Sequence, residues 1–188
     1  MDYKTREYAL FSACGLNCGL CPRYHTDGTS KCPGCAGEGF SQKHPPCGAL
    51  SCCQRKGLEY CYLCDEYPCK KYDGADLSDS FITHKNQFND FDKIKRVGLE
   101  AYKIELTDKT KVLEELLKNY DDGRHKSFFC LAVNLLDLQD INSIMKQIAD
   151  ETELEVSQKG KSATAVRLFK EMAEKRGVSL QLRKKVKL

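Results

Sequence analysis

The 188-residue sequence has no apolar run that approaches the roughly 20 residues needed to cross a bilayer. We also expect no secretory leader, since the early apolar run at residues 8–11 is much shorter than the roughly 7–15 residues such a leader requires. We therefore expect no membrane association and a location in the reducing cytoplasm.

Recognisable catalytic motifs are absent as well. There is no phosphate-cradling glycine loop, no HExxH motif, and no Ser or Cys nucleophile in a familiar histidine context. The sequence therefore gives no catalytic residues, and a non-enzymatic role is favoured.

Cysteine, by contrast, is abundant and unevenly placed. Eleven of the 12 cysteines lie between residues 14 and 69, and Cys130 is the twelfth. In a reducing compartment such density indicates metal binding rather than disulfides. A loop-rich segment of this size has little apolar core, so metal binding would also supply folding free energy.

The spacing of these residues predicts zinc knuckles. Pairs of ligands separated by two residues occur at Cys18/Cys21, Cys32/Cys35, His44/Cys47 and Cys61/Cys64. Two such pairs can complete a tetrahedral site, so eight ligands would bind two zinc ions. Cys14, Cys52 and Cys69 remain for a third site or for exchange with knuckle ligands, and the pairing of the knuckles stays open.

An iron–sulfur cluster is the alternative. Cys14, Cys18 and Cys21 form the C-x3-C-x2-C spacing of radical-SAM enzymes. The chain after Cys69 shows no repeating βα units and is too short for the barrel of that class. A non-catalytic cluster in electron transfer or redox sensing remains as the competing hypothesis.

The segments CGLNCGLCP, CPGC and CGALSCCQRKGLEYCYLCDEYPCKK together resemble a cysteine-rich bacterial and archaeal family, domain of unknown function 3795. The resemblance implies zinc binding but no substrate, and it leaves Cys53 outside the pattern. Many members have a cysteine at the position of His44, which keeps a possible ligand there. The resulting predicted metal ligands are Cys14, Cys18, Cys21, Cys32, Cys35, His44, Cys47, Cys52, Cys61, Cys64 and Cys69.

Hydrophobic periodicity predicts an α+β fold. Residues 1–74 are expected to form a loop-rich, ribbon-like metal module, with an edge strand at its start and a short helix before Gly57. Residues 75–188 are expected to be mainly helical, with helices over 77–96, 108–120 and 161–176 and two more between Lys126 and Glu151. Strands at 154–157 and 178–188 would complete a small sheet.

Charge is also distributed unevenly. Residues 159–188 contain ten Lys or Arg and two Asp or Glu, whereas residues 75–158 are acidic. Thiolate-bound zinc would make the metal module negative, so nucleic acid could bind only through this basic tail. The favoured role is partner binding or regulation by a zinc-stabilised protein, with an unidentified protein partner.

Overall fold

The structure is a computed structural model that describes residues 3–185. The regular elements of these residues are all helices, seven of them α-helices: α1 (Phe40–Lys43), α2 (Gly48–Arg55), α3 (Gln87–Val97), α4 (Leu99–Asn119), α5 (Lys126–Leu135), α6 (Leu138–Glu151) and α7 (Gln158–Lys175). Single 3-10 turns occur at Cys18–Leu20, Gly28–Ser30, Cys61–Leu63 and Lys70–Tyr72. The prediction of an α+β fold with a small sheet is therefore wrong.

The chain divides into two compact units. Unit 1 comprises Met1–Thr107 and Leu182–Leu188, and unit 2 comprises Asp108–Gln181. Helix α4 begins in unit 1 and ends in unit 2. The domain boundary expected after residue 74 stays a prediction.

Unit 1 contains an aromatic core that joins the cysteine-rich segment to α3 and to the first turns of α4. The ring of Phe11 lies 5.4 Å from that of Tyr60, 5.6 Å from Phe91 and 5.0 Å from Tyr102, measured between centroids. All four side chains are buried. The cysteine-rich segment thus packs on apolar surface that residues 87–107 provide.

Unit 2 is built around α5, whose sequence is apolar on nearly all sides. Phe129, Ala132 and Val133 are fully buried, and Phe129 packs edge-on against Phe169 of α7. Helix α6 contributes a row of isoleucines that are also fully buried, at positions 141, 144 and 148. Within residues 3–185, no helix has the combination of length and apolarity that a bilayer crossing requires.

The first predicted strand does not form, because its carbonyl groups accept hydrogen bonds from several different loops. Ala9 O accepts from Cys35 N at 2.9 Å, Leu10 O accepts from Gly19 N at 2.8 Å, and Ala13 O accepts from Cys61 N at 2.8 Å. These partners come from three different segments, so no ladder with a single neighbouring strand forms.

The other two predicted strands do not form either, because, within residues 3–185, their apolar side chains have no second strand to pack against. In the 154–157 segment, Leu154 is 92% exposed and Val156 96% exposed, and Ser157 caps α7 by accepting from Gly160 N at 3.0 Å. Residues 178–185 run without a partner strand, and residues 186–188 of that prediction lie outside the described part of the chain. Alternation of apolar and polar residues is not sufficient without a second strand.

Helix boundaries differ from the predictions at two places. Helix α3 begins at Gln87, ten residues later than predicted, because the carboxylate of Asp79 accepts from His84 N at 2.8 Å and holds a turn there. Helix α4 begins at Leu99, directly after Gly98, and is longer than the predicted 108–120 helix. Helices α2, α5, α6 and α7 lie where helices were predicted.

Arg183 and Asp79 form a clamp that connects residues 182–185 to the rest of unit 1. Arg183 donates from its backbone N at 2.7 Å and from Nη2 at 2.8 Å to the Asp79 carboxylate, and Asp79 N donates to Arg183 O at 2.9 Å. Burial by itself raises the pKa of Asp79, but hydrogen bonds from Arg183 and from the His84 backbone outweigh it and lower that pKa overall.

The other arginines of the basic tail are also paired with carboxylates. Arg176 donates to Asp140 at 2.6 and 2.8 Å, and Arg167 contacts Glu151 and Glu171. All three arginines of residues 159–185 are therefore paired with carboxylates in this way, and the remaining positive charge of this segment comes from lysines.

Replacing Arg183 with Ala should lower the free energy of unfolding by about 3 kcal/mol, because it leaves a fully buried carboxylate without its cation. Arg167→Ala is the control and should cost less than about 1 kcal/mol, since its ion pairs are solvent-exposed. Urea titration of both variants measures the difference, and equal midpoints would contradict the clamp. Because the Asp79 pKa is lowered on folding, the contribution of this clamp should disappear as the pH falls below about 4.

Candidate metal centre

Two Cys-x2-Cys segments adopt the same local structure. Residues Cys18–Leu20 and Cys61–Leu63 are 3-10 turns, in which Cys21 N donates to Cys18 O at 3.1 Å and Cys64 N donates to Cys61 O at 3.0 Å. Residues three apart in a 3-10 turn lie on the same side. Each turn therefore presents two thiols toward one neighbourhood.

The first thiol group surrounds the turn at residues 18–21. Cys18 interacts electrostatically with four other thiols, and Cys35 and Cys14 both interact with Cys47. Cys35 is buried and the others are partly buried. The first thiol group consists of Cys14, Cys18, Cys21, Cys32, Cys35 and Cys47.

The second thiol group surrounds the turn at residues 61–64. Its members line a cavity of about 30 Å³, with Lys56, Glu66, Tyr67 and Tyr72 among the other lining residues. Sγ of Cys53 lies 3.4 Å from Sγ of Cys61, which places Cys53 in this group although the family pattern omits it. The second thiol group consists of Cys52, Cys53, Cys61, Cys64 and Cys69.

Neither group contains three sulfur atoms that all lie close to one another. Among the described residues, Asp121, Asp122 and His125 form the set of three potential ligands with donor atoms all within 4.8 Å, and no set of three thiols meets this limit. Four sulfurs bound to one zinc ion lie only about 3.8 Å apart, because each Zn–S bond is about 2.3 Å long. One pair, Cys53 and Cys61, is therefore as close as two ligands of a single tetrahedral ion, but no three thiols of residues 3–185 are.

Burial makes these thiols difficult to ionise in the absence of a cation. It raises the pKa of Cys14 to about 12, raises the pKa of Cys18 well above its ordinary value, and raises those of Cys21 and Cys35. A bound metal replaces the thiol proton and supplies the compensating positive charge. The chemistry of the donor set therefore fits a soft, thiolate-binding metal.

Basic side chains lie beside both groups, among them Arg6 at the first and Lys56 and Lys71 at the second. Arg6 interacts electrostatically with Cys35, and Lys56 Nζ lies 3.3 Å from Cys64 Sγ and 3.0 Å from the Glu66 carboxylate. Arg6 is buried, whereas Lys56 is exposed. Sequence reasoning missed both, because neither position belongs to a cysteine motif.

The first cysteine is held in place by hydrogen bonds to its carbonyl oxygen. Cys14 O accepts from Gln87 Nε2 at 2.7 Å and from Tyr72 OH at 3.1 Å. Tyr72 also lines the cavity of the second thiol group, so one side chain contacts both neighbourhoods. Three residues further along, Asn17 accepts from Tyr102 OH at 2.8 Å and donates to Asp90 at 2.9 Å.

The histidines lie differently from the thiols. His44 is exposed, stacks on Phe40 and has its Nδ1 2.7 Å from Pro45 O, so its assignment as a ligand stays a prediction. His25 Nε2 lies 2.6 Å from Gly19 O. Cys130 is buried in α5 of unit 2 and does not belong to either group.

Comparison with known proteins identifies the segment that contains both groups. Residues 10–74 match the family model described as "Protein of unknown function (DUF3795)". The match supports a cysteine-rich domain of unknown function in this segment. The match to DUF3795 spans every cysteine of the two thiol groups, and it supports the resemblance drawn from the motifs. No curated protein and no solved structure matches the chain.

Gly15, in the segment that matches DUF3795, should not tolerate a side chain. Its φ is +92°, and a Cβ there would lie 2.8 Å from Phe91 Cε2 and 2.9 Å from Gln87 O. We expect Gly15→Ala to lower the free energy of unfolding by about 2 kcal/mol or more, from backbone strain and overpacking. Gly28→Ala is the matched control, because its φ is +74° but nothing lies within 4 Å of the added carbon. Equal losses in thermal unfolding would mean that the contact with Phe91 is unimportant.

Proposed function

We propose that the DUF3795 domain binds metal at its two thiol groups, and that the occupants are iron–sulfur clusters. The observation that carries this proposal is the spacing of the thiols: eleven cysteines gather in two groups, yet in the described part of the chain no three sulfurs lie within 4.8 Å of one another. In a cubane cluster each cysteine binds a different iron atom at a different corner. Its ligand sulfurs are therefore farther apart than those around one ion.

The cavity of the second thiol group supports the same occupant. A sulfur cage around one zinc ion, with Zn–S bonds of about 2.3 Å, leaves no room for a water-sized sphere. The cavity among Cys52, Cys61, Cys64 and Cys69 admits such a sphere, with a volume of about 30 Å³. These four cysteines are also ones that the motif resemblance assigns as ligands.

The proposed role is electron transfer or redox sensing in a reducing compartment. A cluster bound by four cysteines has no open position for substrate, and its chemistry is gain and loss of an electron. The protein would position the clusters, shield them with the aromatic core and adjust their potential through neighbouring charges.

Structural zinc is the second candidate. It is favoured by the paired turns at residues 18–21 and 61–64 and by the 3.4 Å approach of Cys53 to Cys61. Rotation of the remaining side chains about χ1 would be needed to close a tetrahedral site. Zinc would make the domain a scaffold for a partner or regulator rather than a redox protein.

Metal analysis of anaerobically purified protein tests the proposal. We expect a brown protein with broad visible absorbance that contains iron and acid-labile sulfide, and we expect Cys61→Ser to lose a large share of both. Cys130→Ala is the control and should retain wild-type iron and sulfide, because Cys130 lies in unit 2. A colourless wild-type protein with two zinc ions per chain would overturn the cluster assignment and favour the second candidate.

A further inference from the structure

Arg6 is a buried cation in the wall of the first thiol group. Its side chain is 7% exposed, and its Nη1 donates to Phe11 O at 2.8 Å. The guanidinium carbon lies 4.6 Å from the centroid of the Tyr60 ring. The residue is thus fixed between the aromatic core and the thiols.

The carboxylate nearest to Arg6 leaves two of its N–H donor groups without a hydrogen bond. Nη2 lies 3.5 Å from the carboxylate of Glu59, whose side chain is 47% exposed, and this contact is not a hydrogen bond. Nε and Nη2 are both buried and have no hydrogen-bond partner among residues 3–185. Unpaired donors on a buried charge are costly, so a structure that retains them indicates an acceptor in another state of the protein.

The neighbouring Cys35 provides that acceptor when it is ionised. Its side chain is 4% exposed, and its sulfur already accepts from Ala13 N at 3.5 Å. The backbone holds the two residues near each other, because Arg6 N donates to Ala36 O, next to Cys35, at 3.1 Å. A neutral thiol is a weak acceptor, whereas a thiolate bound to metal is a strong one.

We infer that Arg6 compensates the charge of the first metal centre by donating its unpaired N–H groups to the Cys35 thiolate. This inference rests on the proposed function, since it requires metal-bound thiolates at the first thiol group. Arg6 would act as a positioning and tuning residue rather than as a ligand. A buried positive charge favours the more negative state of the centre, which for a cluster is its reduced state.

The corresponding cation at the second thiol group should have a weaker effect. Lys56 approaches Cys64 closely, but it is exposed and is paired with Glu66. Solvent and the carboxylate both screen its charge. The two groups would therefore differ in potential, with the first centre the easier of the two to reduce if other factors are equal.

The test compares anaerobically prepared wild type with Arg6→Met and Arg6→Lys by redox titration monitored optically and by EPR. Arg6→Met should reduce the ratio of reduced to oxidised first centre about tenfold at a fixed potential, which equals a downward shift of about 59 mV for a one-electron couple. Arg6→Lys should shift the potential less than Arg6→Met does, because lysine keeps the positive charge although it lacks the forked N–H donors of the guanidinium. Lys56→Gln should produce a smaller shift.

Glu59→Gln is the matched control, because it removes the charge of the exposed carboxylate that lies 3.5 Å from Arg6. It should leave the ratio of reduced to oxidised centre within about twofold of the wild-type value, since exposed charges are screened. A cluster-loaded Arg6→Met protein with unchanged potential would overturn the inference, even if its thermal stability fell.

A different experiment tests Arg6 if the thiol groups do not hold iron–sulfur clusters. If the wild type contains zinc, competition with a chromophoric chelator replaces the redox titration, and Arg6→Met should weaken zinc binding at one site by 10-fold or more. Zinc affinity equal to that of the wild type would then overturn the inference. A wild-type protein that binds neither iron nor zinc would contradict both the proposed function and the role of Arg6.

Discussion

The organisation of unit 1 depends on how the negative charge of thiolates in the two thiol groups would be compensated. Each thiol that becomes a thiolate brings a negative charge into a region with little water, and burial of the Cys14, Cys18 and Cys35 side chains makes ionisation unfavourable on its own. In the proposed function, a metal cation would compensate this charge at the centre, and Arg6 would contribute from the wall. The aromatic residues around Phe11 exclude solvent and thereby strengthen both effects.

The sequence predicted helices well where the buried face gave apolar residues a clear helical spacing. Helices α5 and α6 were recognised from their apolar patterns, and Gly98 marked the break before α4. The strands failed because a strand requires a partner, and alternation within one segment says nothing about whether a second segment lies beside it. Residues 154–157 alternate correctly, yet Leu154 and Val156 face solvent.

The candidate site was predictable in part. Cysteine spacing located the segment and the motif resemblance assigned its family, both of which depend on order along the chain. The division into two groups, the approach of Cys53 to Cys61 and the position of Arg6 depend on how distant loops meet. Arg6 lies eight residues before Cys14 and resembles any other N-terminal basic residue until the chain is folded. The spacing of the sulfurs likewise becomes known only from the folded chain.

The pairing of Asp79 with Arg183 also constrains biosynthesis. The two residues are 104 positions apart, and the whole of unit 2 lies between them in the chain. A ribosome must therefore translate unit 2 before the last stabilising contact of unit 1 can form. During that interval Asp79 remains without its guanidinium, and the cysteine-rich segment is already synthesised while unit 1 is still incomplete.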